Sequence, residues 1–453
     1  MSLNAQQKNA LGTFVRAYGL GWTITTAPSI LSVMIKALLL TKSKGAIQKA
    51  LTLVLKNSIA QNGLPLLLAT SLSCHQLFAK YKKSIVFWSS WVSIWLTRRL
   101  FPRTKTLDLT FFVFVRALDV FAHRIYASSR VRKTVPEWTL EYGNIAIFML
   151  SSTEIIFSWF YEPERLPKSY AGWITHMSGI DDRLLKALRA IRQGDWIYGK
   201  DTGFESLLGD YCVQLGIPRS LGDPCTGRIA CTIVHEGKPY GCEANALLRF
   251  YRGFIKIFPV YFSVHLFPPL FFRTSQFISH PMQSMLHILM ASVRSSSFLG
   301  TYIAIIWYSI CLVRTRIGYQ LLGVNQTRLD NTLAPLIGSM LCGLSLLIES
   351  KHRRSEMTLY VVPRALYSFT ERILSPHQKG RWWEQTSAIF AEHLVFAASV
   401  MVVVDAVYQN RHMVRPSVRG LLSWILQIQS QSGQSTPIQE EEEEDQGLTM
   451  KKK

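Results

Sequence analysis

Apolar residues in this chain gather into stretches of roughly membrane-spanning length, and most polar residues gather in two places, about 162 to 245 and beyond about 428. Ten apolar stretches can be drawn: 22–40, 64–79, 84–101, 109–126 and 143–161, then 253–272, 296–314, 332–348, 357–373 and 387–408. A chain of 453 residues could hold two or three soluble domains, but this distribution predicts an all-α polytopic membrane protein. The predicted layout is a first membrane repeat over 1–175, a polar connector over 176–245, a second membrane repeat over 246–428 and a disordered charged tail over 429–453.

The two repeats, each of about four to five membrane-embedded helices, rest on a register. Placing LTFFVFVRALDVFAHRI (109–125) over MTLYVVPRALYSFTERI (357–373) aligns Thr110 with Thr358, Arg116 with Arg364, Ala117 with Ala365, Phe121 with Phe369 and Arg124 with Arg372. The same 248-residue offset puts Phe148 on Phe396, Ser151 on Ser399, Ser169 on Ser417 and Gly172 on Gly420. Chance likeness between two apolar helices does not keep its register across a polar loop. Arg16-Ala-Tyr18 also matches Arg249-Phe-Tyr251, ahead of the first stretch of each half and at a shorter offset.

Five crossings per half would put equivalent loops on opposite faces, as in inverted-repeat transporters, whereas four would put them on the same face. Arg98, Arg99, Arg103 and Lys105 correspond to Lys351, His352, Arg353 and Arg354, and two basic loops belong on one side. One stretch per half is therefore expected not to cross. Their arginines make 109–126 and 357–373 the candidates, lying at the interface or packed within protein. Ten spans with inverted halves and intramembrane arginines is the alternative. The stretch 253–272, with Lys256, Pro259, His265, Pro268 and Pro269, is a further one that could fail to span.

In the connector, Leu184, Leu185, Leu188 and Ile191 repeat at helical spacing opposite Lys186, Arg189 and Arg192. They predict a basic amphipathic helix that covers the end of a bundle or lies on an anionic membrane surface. Asp181 and Asp182 at its start suit a helix N-terminus better than catalysis. The net charge of +21 clusters beside apolar stretches, so it implies contact with lipid headgroups and not with nucleic acid. Seven cysteines without a ladder of spacings imply a reduced, intracellular setting. No signal-peptide pattern opens the sequence, so targeting is expected to be internal.

Three sets of residues could carry chemistry. Cys225, Cys231, His235 and Cys242 supply the donors of a closed structural zinc site, although their spacing is wider than that of paired zinc ligands. Arg116 and Arg364 could bind lipid phosphates or a carboxylate substrate, or could pair locally with Asp119 or Glu371. Asp405 and Glu154 lie in otherwise apolar stretches, where an ionisable group is a functional candidate by position. Gly338, Ser339 and Gly343 fit close helix packing better than a phosphate loop. No nucleophile elbow, zinc-protease helix, Walker sequence or dinucleotide fingerprint is present, and no enzymatic activity is expected.

The run from Cys231 through Cys242 into LLRFYRGFIKIFPVYF, followed by SFLGTYIAIIWYSICLVR, LDNTLAPLIGSMLCGLSLL, MTLYVVPRALYSFTERI and VRPSVRGLLSWI, resembles the transmembrane protein 135 family, also called peroxisomal membrane protein 52, in a fungal-type form. The likeness covers most of residues 225 to 426, and a fainter one links the chain to the four-span subunits of mitochondrial import translocases. The resemblance implies a multi-pass protein of peroxisomal and mitochondrial membranes. Its role would be in mitochondrial division and in peroxisome and lipid homeostasis, with membrane lipids and other organelle membrane proteins as partners. Family members carry Cys/His-rich stretches before the first span of each half; here the N-terminus has no cysteine or histidine before Cys74. A solute or lipid transporter, with Arg116, Arg364 and Asp405 lining a polar path, is the alternative function.

Overall fold

A computed structural model describes residues 4–39, 48, 52, 63–78, 82–102, 104, 106–272, 274–373 and 382–428. The predicted charged tail, Arg103, Lys105 and the last residue of the stretches 22–40 and 64–79 lie outside the described residues. The described residues are all-α, with no strand among them. Four of their helices are long and apolar enough to cross a membrane: Tyr142–Tyr161, Pro281–Leu321, Gln326–Ile348 and Thr386–Gln409. Each falls on a predicted apolar stretch. The arginine-bearing stretches form the helices Leu107–Tyr126 and Lys351–Ile373, which are not among these four. The basic residues expected in loops sit on helices instead, Arg98 and Arg99 in the last turn of Lys83–Leu100 and Lys351 to Arg354 in the first turn of Lys351–Ile373.

On Pro281–Leu312 the buried face carries Ser292, Ser295, Ser296 and Gly300 in its first part and Ile303, Ile306, Trp307 and Ile310 in its second, while Met282, Leu286, Leu289 and Met290 are exposed. Small side chains let helix backbones approach where no aqueous hydrophobic drive exists, and bulky apolar ones suit a hydrocarbon solvent. This is a membrane protein by both measures.

The chain divides into two compact units, neither of which is one half of the sequence. The first takes residues 1–106, 116–124 and 389–453; the second takes 107–115 and 125–388. In the first unit Ala5–Leu39 runs against Gly63–Ser73, so closely that a Cβ on Gly21 would stand 2.8 Å from Pro65 Cα. Pro416–Leu426 then packs on the opening helix. In the second unit Cys242–Phe272 runs against Pro281–Leu312, where a Cβ on Gly300 would stand 2.9 Å from the Phe250 carbonyl oxygen. Here Lys168–Ser178 packs on the opening helix. Each unit thus joins the opening helices of one half to the closing helices of the other.

The closing helices also share their backbone path. Long helices end at Tyr161 and Gln409, turns follow at Pro163–Arg165 and Arg411–Met413, and short helices follow at Lys168–Ser178 and Pro416–Leu426. Glu162 (φ −139°, ψ 56°) matches Asn410 (φ −138°, ψ 65°), and both short helices end on a left-handed residue, Gly179 at φ 63° and Gln427 at φ 51°. Every one of these pairs keeps the 248-residue offset read from the sequence.

The connector helix spans Asp182–Gln193, capped by the Asp181 carboxylate, which accepts from the Arg183 amide, and closed by Gly194 in the left-handed region. It packs as a bundle cover. Leu184, Leu185, Ala187, Ala190 and Ile191 are buried, and Arg189 donates to the carbonyls of Phe160 (2.9 Å) and Trp159 (3.2 Å) at the C-terminal end of the helix Glu137–Tyr161. A cation there satisfies orphan carbonyls and opposes the negative end of the helix dipole.

Candidate functional site

The densest chemistry lies where the connector meets the second unit's opening helices. Cys231 begins a single helical turn, Cys231–Val234, His235 ends it, and Cys242 begins the helix Cys242–Phe272. Glu236, at φ 59°, and Gly237, at φ 74°, turn the chain back between them. The structure brings His235 and Cys242 together with Cys311 of Pro281–Leu312, and one donor atom from each lies within 4.8 Å of the others. The Cys311 sulfur stands 3.8 Å from His235 Nε2. Cys231, at the start of the same helical turn, is not one of these three. Cys225 is not part of this group: it is exposed on the turn Pro224–Thr226, where its amide donates to Asp223.

His235 is held in a defined tautomer. Its Nδ1 lies 3.1 Å from the Tyr240 carbonyl oxygen, an acceptor only, so Nδ1 carries the proton and Nε2 presents a lone pair to the thiols. The neighbouring Cys311 thiol and then the charges of Arg314 and Arg228 shift the Cys231 thiol towards its thiolate, against the opposing effect of burial. Burial, followed by the charge on Cys231, pushes the Cys242 thiol the other way.

A buried ion pair fixes this corner from the side. Arg314 binds both Asp330 carboxylate oxygens and donates to the Ile229 carbonyl at 2.9 Å, and Arg314 and Asp330 are 5% and 0% exposed. Tyr198 of the connector donates to Asp330 Oδ2 and Tyr161 donates to the Asp330 carbonyl oxygen, each at 2.6 Å. Arg314 and Asp330 both stand in π-helical stretches, Val313–Leu321 and Leu329–Leu333. The wider turn rephases a helix face, and such turns gather at functional positions. Arg249 completes the corner, donating to the carbonyls of Ser178 (2.7 Å) and Val234 (2.9 Å) with its guanidinium 4.4 Å from the Trp307 ring centroid.

The other predicted residues are engaged in ion pairs. Asp405, 2% exposed, takes Lys83 at 2.9 Å and Arg124 at 3.2 Å in the first unit. Glu154 takes Arg372 at 3.1 Å and Ser368 at 3.0 Å in the second. Arg364 pairs with Asp108 at 3.2 Å and lies over Tyr170, and Arg116 is half-buried and engaged. Asp119, one of the anticipated local partners, accepts from Arg415 at 2.9 and 3.0 Å. Gly343 and Gly338 do serve close packing, since a Cβ on either would fall within 2.8 Å of Met149 or Ile310.

Cys311, Arg314, Asp330 and Glu349 are the residues that sequence reasoning missed. Glu349 is 1% exposed and neither of its carboxylate oxygens has a hydrogen-bond partner among the described residues. Near it in sequence, Arg353 meets His265 Nε2 at 2.6 Å and Ser295 Oγ at 2.9 Å. An arginine inside SICLVRTR and an acid closing an apolar stretch were visible signals; the partnership of Cys311 with residues about 70 positions away was not. Comparison with family models, with curated proteins and with solved structures found no match to this chain.

Proposed function

We propose that this chain is a duplicated multi-pass protein of peroxisomal or mitochondrial membranes with a non-enzymatic role in membrane and lipid homeostasis, mitochondrial division included. The observation that carries a structural role is the fate of the repeated arginines. Arg124 of the first copy neutralises Asp405, and Arg372 of the second neutralises Glu154. A charge in hydrocarbon costs several kilocalories per mole unless paired, so each arginine ties an ionisable residue to a neighbouring helix instead of leaving it to a cargo. The matched closing helices, with their common offset and common caps, support the duplication. On this reading helices Leu107–Tyr126 and Lys351–Ile373 do not cross, and each copy has four spans.

Deleting the gene and measuring peroxisome number, mitochondrial length and membrane lipid composition tests this reading. Restoration by the wild-type chain is expected, and organelles unchanged by the deletion would sink it. The buried, unpartnered Glu349 carboxylate favours a second reading, a solute or lipid transporter, because a protonatable acid at the end of a span suits ion-coupled transport. Saturable flux in proteoliposomes that Glu349→Gln abolishes would establish that second reading over the first.

A further inference from the structure

We infer that Cys231, His235, Cys242 and Cys311 form a structural zinc site that fastens the polar connector to the membrane helix Pro281–Leu321. This goes beyond the homeostasis reading and does not depend on it. Three thiols and one imidazole are the donors of a closed tetrahedral site, and zinc is the divalent metal that such a soft, redox-silent set holds. The distances fit. With Zn–S near 2.3 Å and Zn–N near 2.0 to 2.1 Å, tetrahedral ligands stand about 3.5 to 3.8 Å apart. Cys311 sulfur and His235 Nε2 already stand 3.8 Å apart, and His235, Cys242 and Cys311 need a contraction of at most about 1 Å from their 4.8 Å limit. Cys231, which begins the helical turn that His235 ends, is the fourth donor that the proposal adds to these three.

The surroundings are those of a metal site in three further respects. The His235 Nδ1 proton is committed to the Tyr240 carbonyl, the outer contact that orients a zinc-binding imidazole. Cys311 and His235 are 1% and 4% exposed, which excludes competing water. Three thiolates and an imidazole leave a zinc complex with one net negative charge, and Arg314, which donates to the Ile229 carbonyl two residues before Cys231, is a cation beside it. Binding forms three Zn–S bonds and one Zn–N bond and releases to solvent the protons that the three sulfurs still carry; nothing is oxidised or reduced.

The site would add a cross-link to a loop that Ile233 and Val234 already anchor in the core. Residues 231 to 242 contain one helical turn, and the metal would join that turn, the start of Cys242–Phe272 and the last third of the helix Pro281–Leu321 in one cross-link. Cys225 is the internal control, being a cysteine of the same loop that lies outside the group.

The test is elemental analysis of the full chain purified in mild detergent without chelator, with cobalt(II) substitution as a second readout. Equimolar zinc is expected in the wild type and in Cys225→Ser, and a loss of most of it in Cys311→Ser and His235→Ala. Cys311→His keeps a donor and should retain zinc, which separates lost ligation from lost folding. Cobalt should show sulfur-to-metal charge-transfer bands in the wild type that weaken in Cys311→Ser. A wild-type chain that holds no zinc and takes up none when it is supplied overturns the proposal. So does equal metal loss in Cys225→Ser and Cys311→Ser, or a Cys231–Cys311 disulfide in the protein as isolated.

Discussion

Arg16 and Arg249 make the same contact in two different settings. Arg16 donates from the opening helix of the first unit to the Ile425 carbonyl at 3.0 Å, and Arg249 donates from the opening helix of the second to the Ser178 carbonyl at 2.7 Å. Each carbonyl lies in the last turn of a closing helix, where backbone oxygens lack intrahelical partners and a cation is favoured. The neighbours differ. Around Arg16 stand Thr13 and Gln76, whose hydroxyl and amide oxygen lie 2.8 Å apart, and His75 with Tyr408. Around Arg249 stand Trp307, the thiols and the Arg314–Asp330 pair. The same backbone clasp is therefore closed by neutral hydrogen bonds in one unit and by buried charge and soft donors in the other. The clasp is common to both units, and the side chains around it differ.

If this comparison is right, the second corner should be far more sensitive to substitution. The largest effect is expected at Arg314→Ala or Asp330→Ala, which strands a fully buried charge and should cost about 3 to 5 kcal/mol in thermal unfolding of the detergent-solubilised protein. Replacing both by leucine should recover much of that loss. Arg249→Ala comes next, at about 3 kcal/mol, because it orphans two buried carbonyls. Arg16→Ala, at a half-buried site, should cost about 1 kcal/mol, and equal losses at the two arginines would break the comparison.

The smallest predicted effects probe the helix caps. Gly179 and Gln427 occupy equivalent left-handed positions, and only the glycine does so without steric cost. Gln427→Gly should stabilise by about 1 kcal/mol, and Gly179→Ala should destabilise by about as much, since its Cβ would meet no atom within 4 Å and only the backbone conformation is disfavoured. Opposite signs measured by the same unfolding assay support equivalent caps. Matching signs would show that the two turns, despite their dihedral angles, are under different constraints.

Apolar periodicity and length were enough to locate the four long apolar helices, and the 248-residue offset of Arg116 and Arg364 also relates the closing helices, although the short helices Lys168–Ser178 and Pro416–Leu426 were not themselves expected. What stayed hidden was long-range. Asp405 meets Arg124 across 281 residues, and a run of hydrophobic letters carries no mark of which distant helix will lie beside it. The π-helical turns at Val313–Leu321 and Leu329–Leu333 were equally illegible, because one widened turn rephases a face without changing the composition that predicts a helix. The Cys/His group was half legible: its loop members announced themselves by proximity, whereas Cys311 sits in an apolar stretch where a cysteine reads as a small hydrophobe.

The crossed composition of the units sets an order of events during synthesis. The opening helices of the first unit leave the ribosome early, yet the segment they close upon, residues 389 to 428, is among the last to be made. For most of translation Arg16 has no carbonyl to hold. The second unit is complete once residue 388 has been made. The part of the protein made first is thus the part that can finish folding last, and a ribosome that stops before residue 389 releases a finished second unit joined to a first that cannot close.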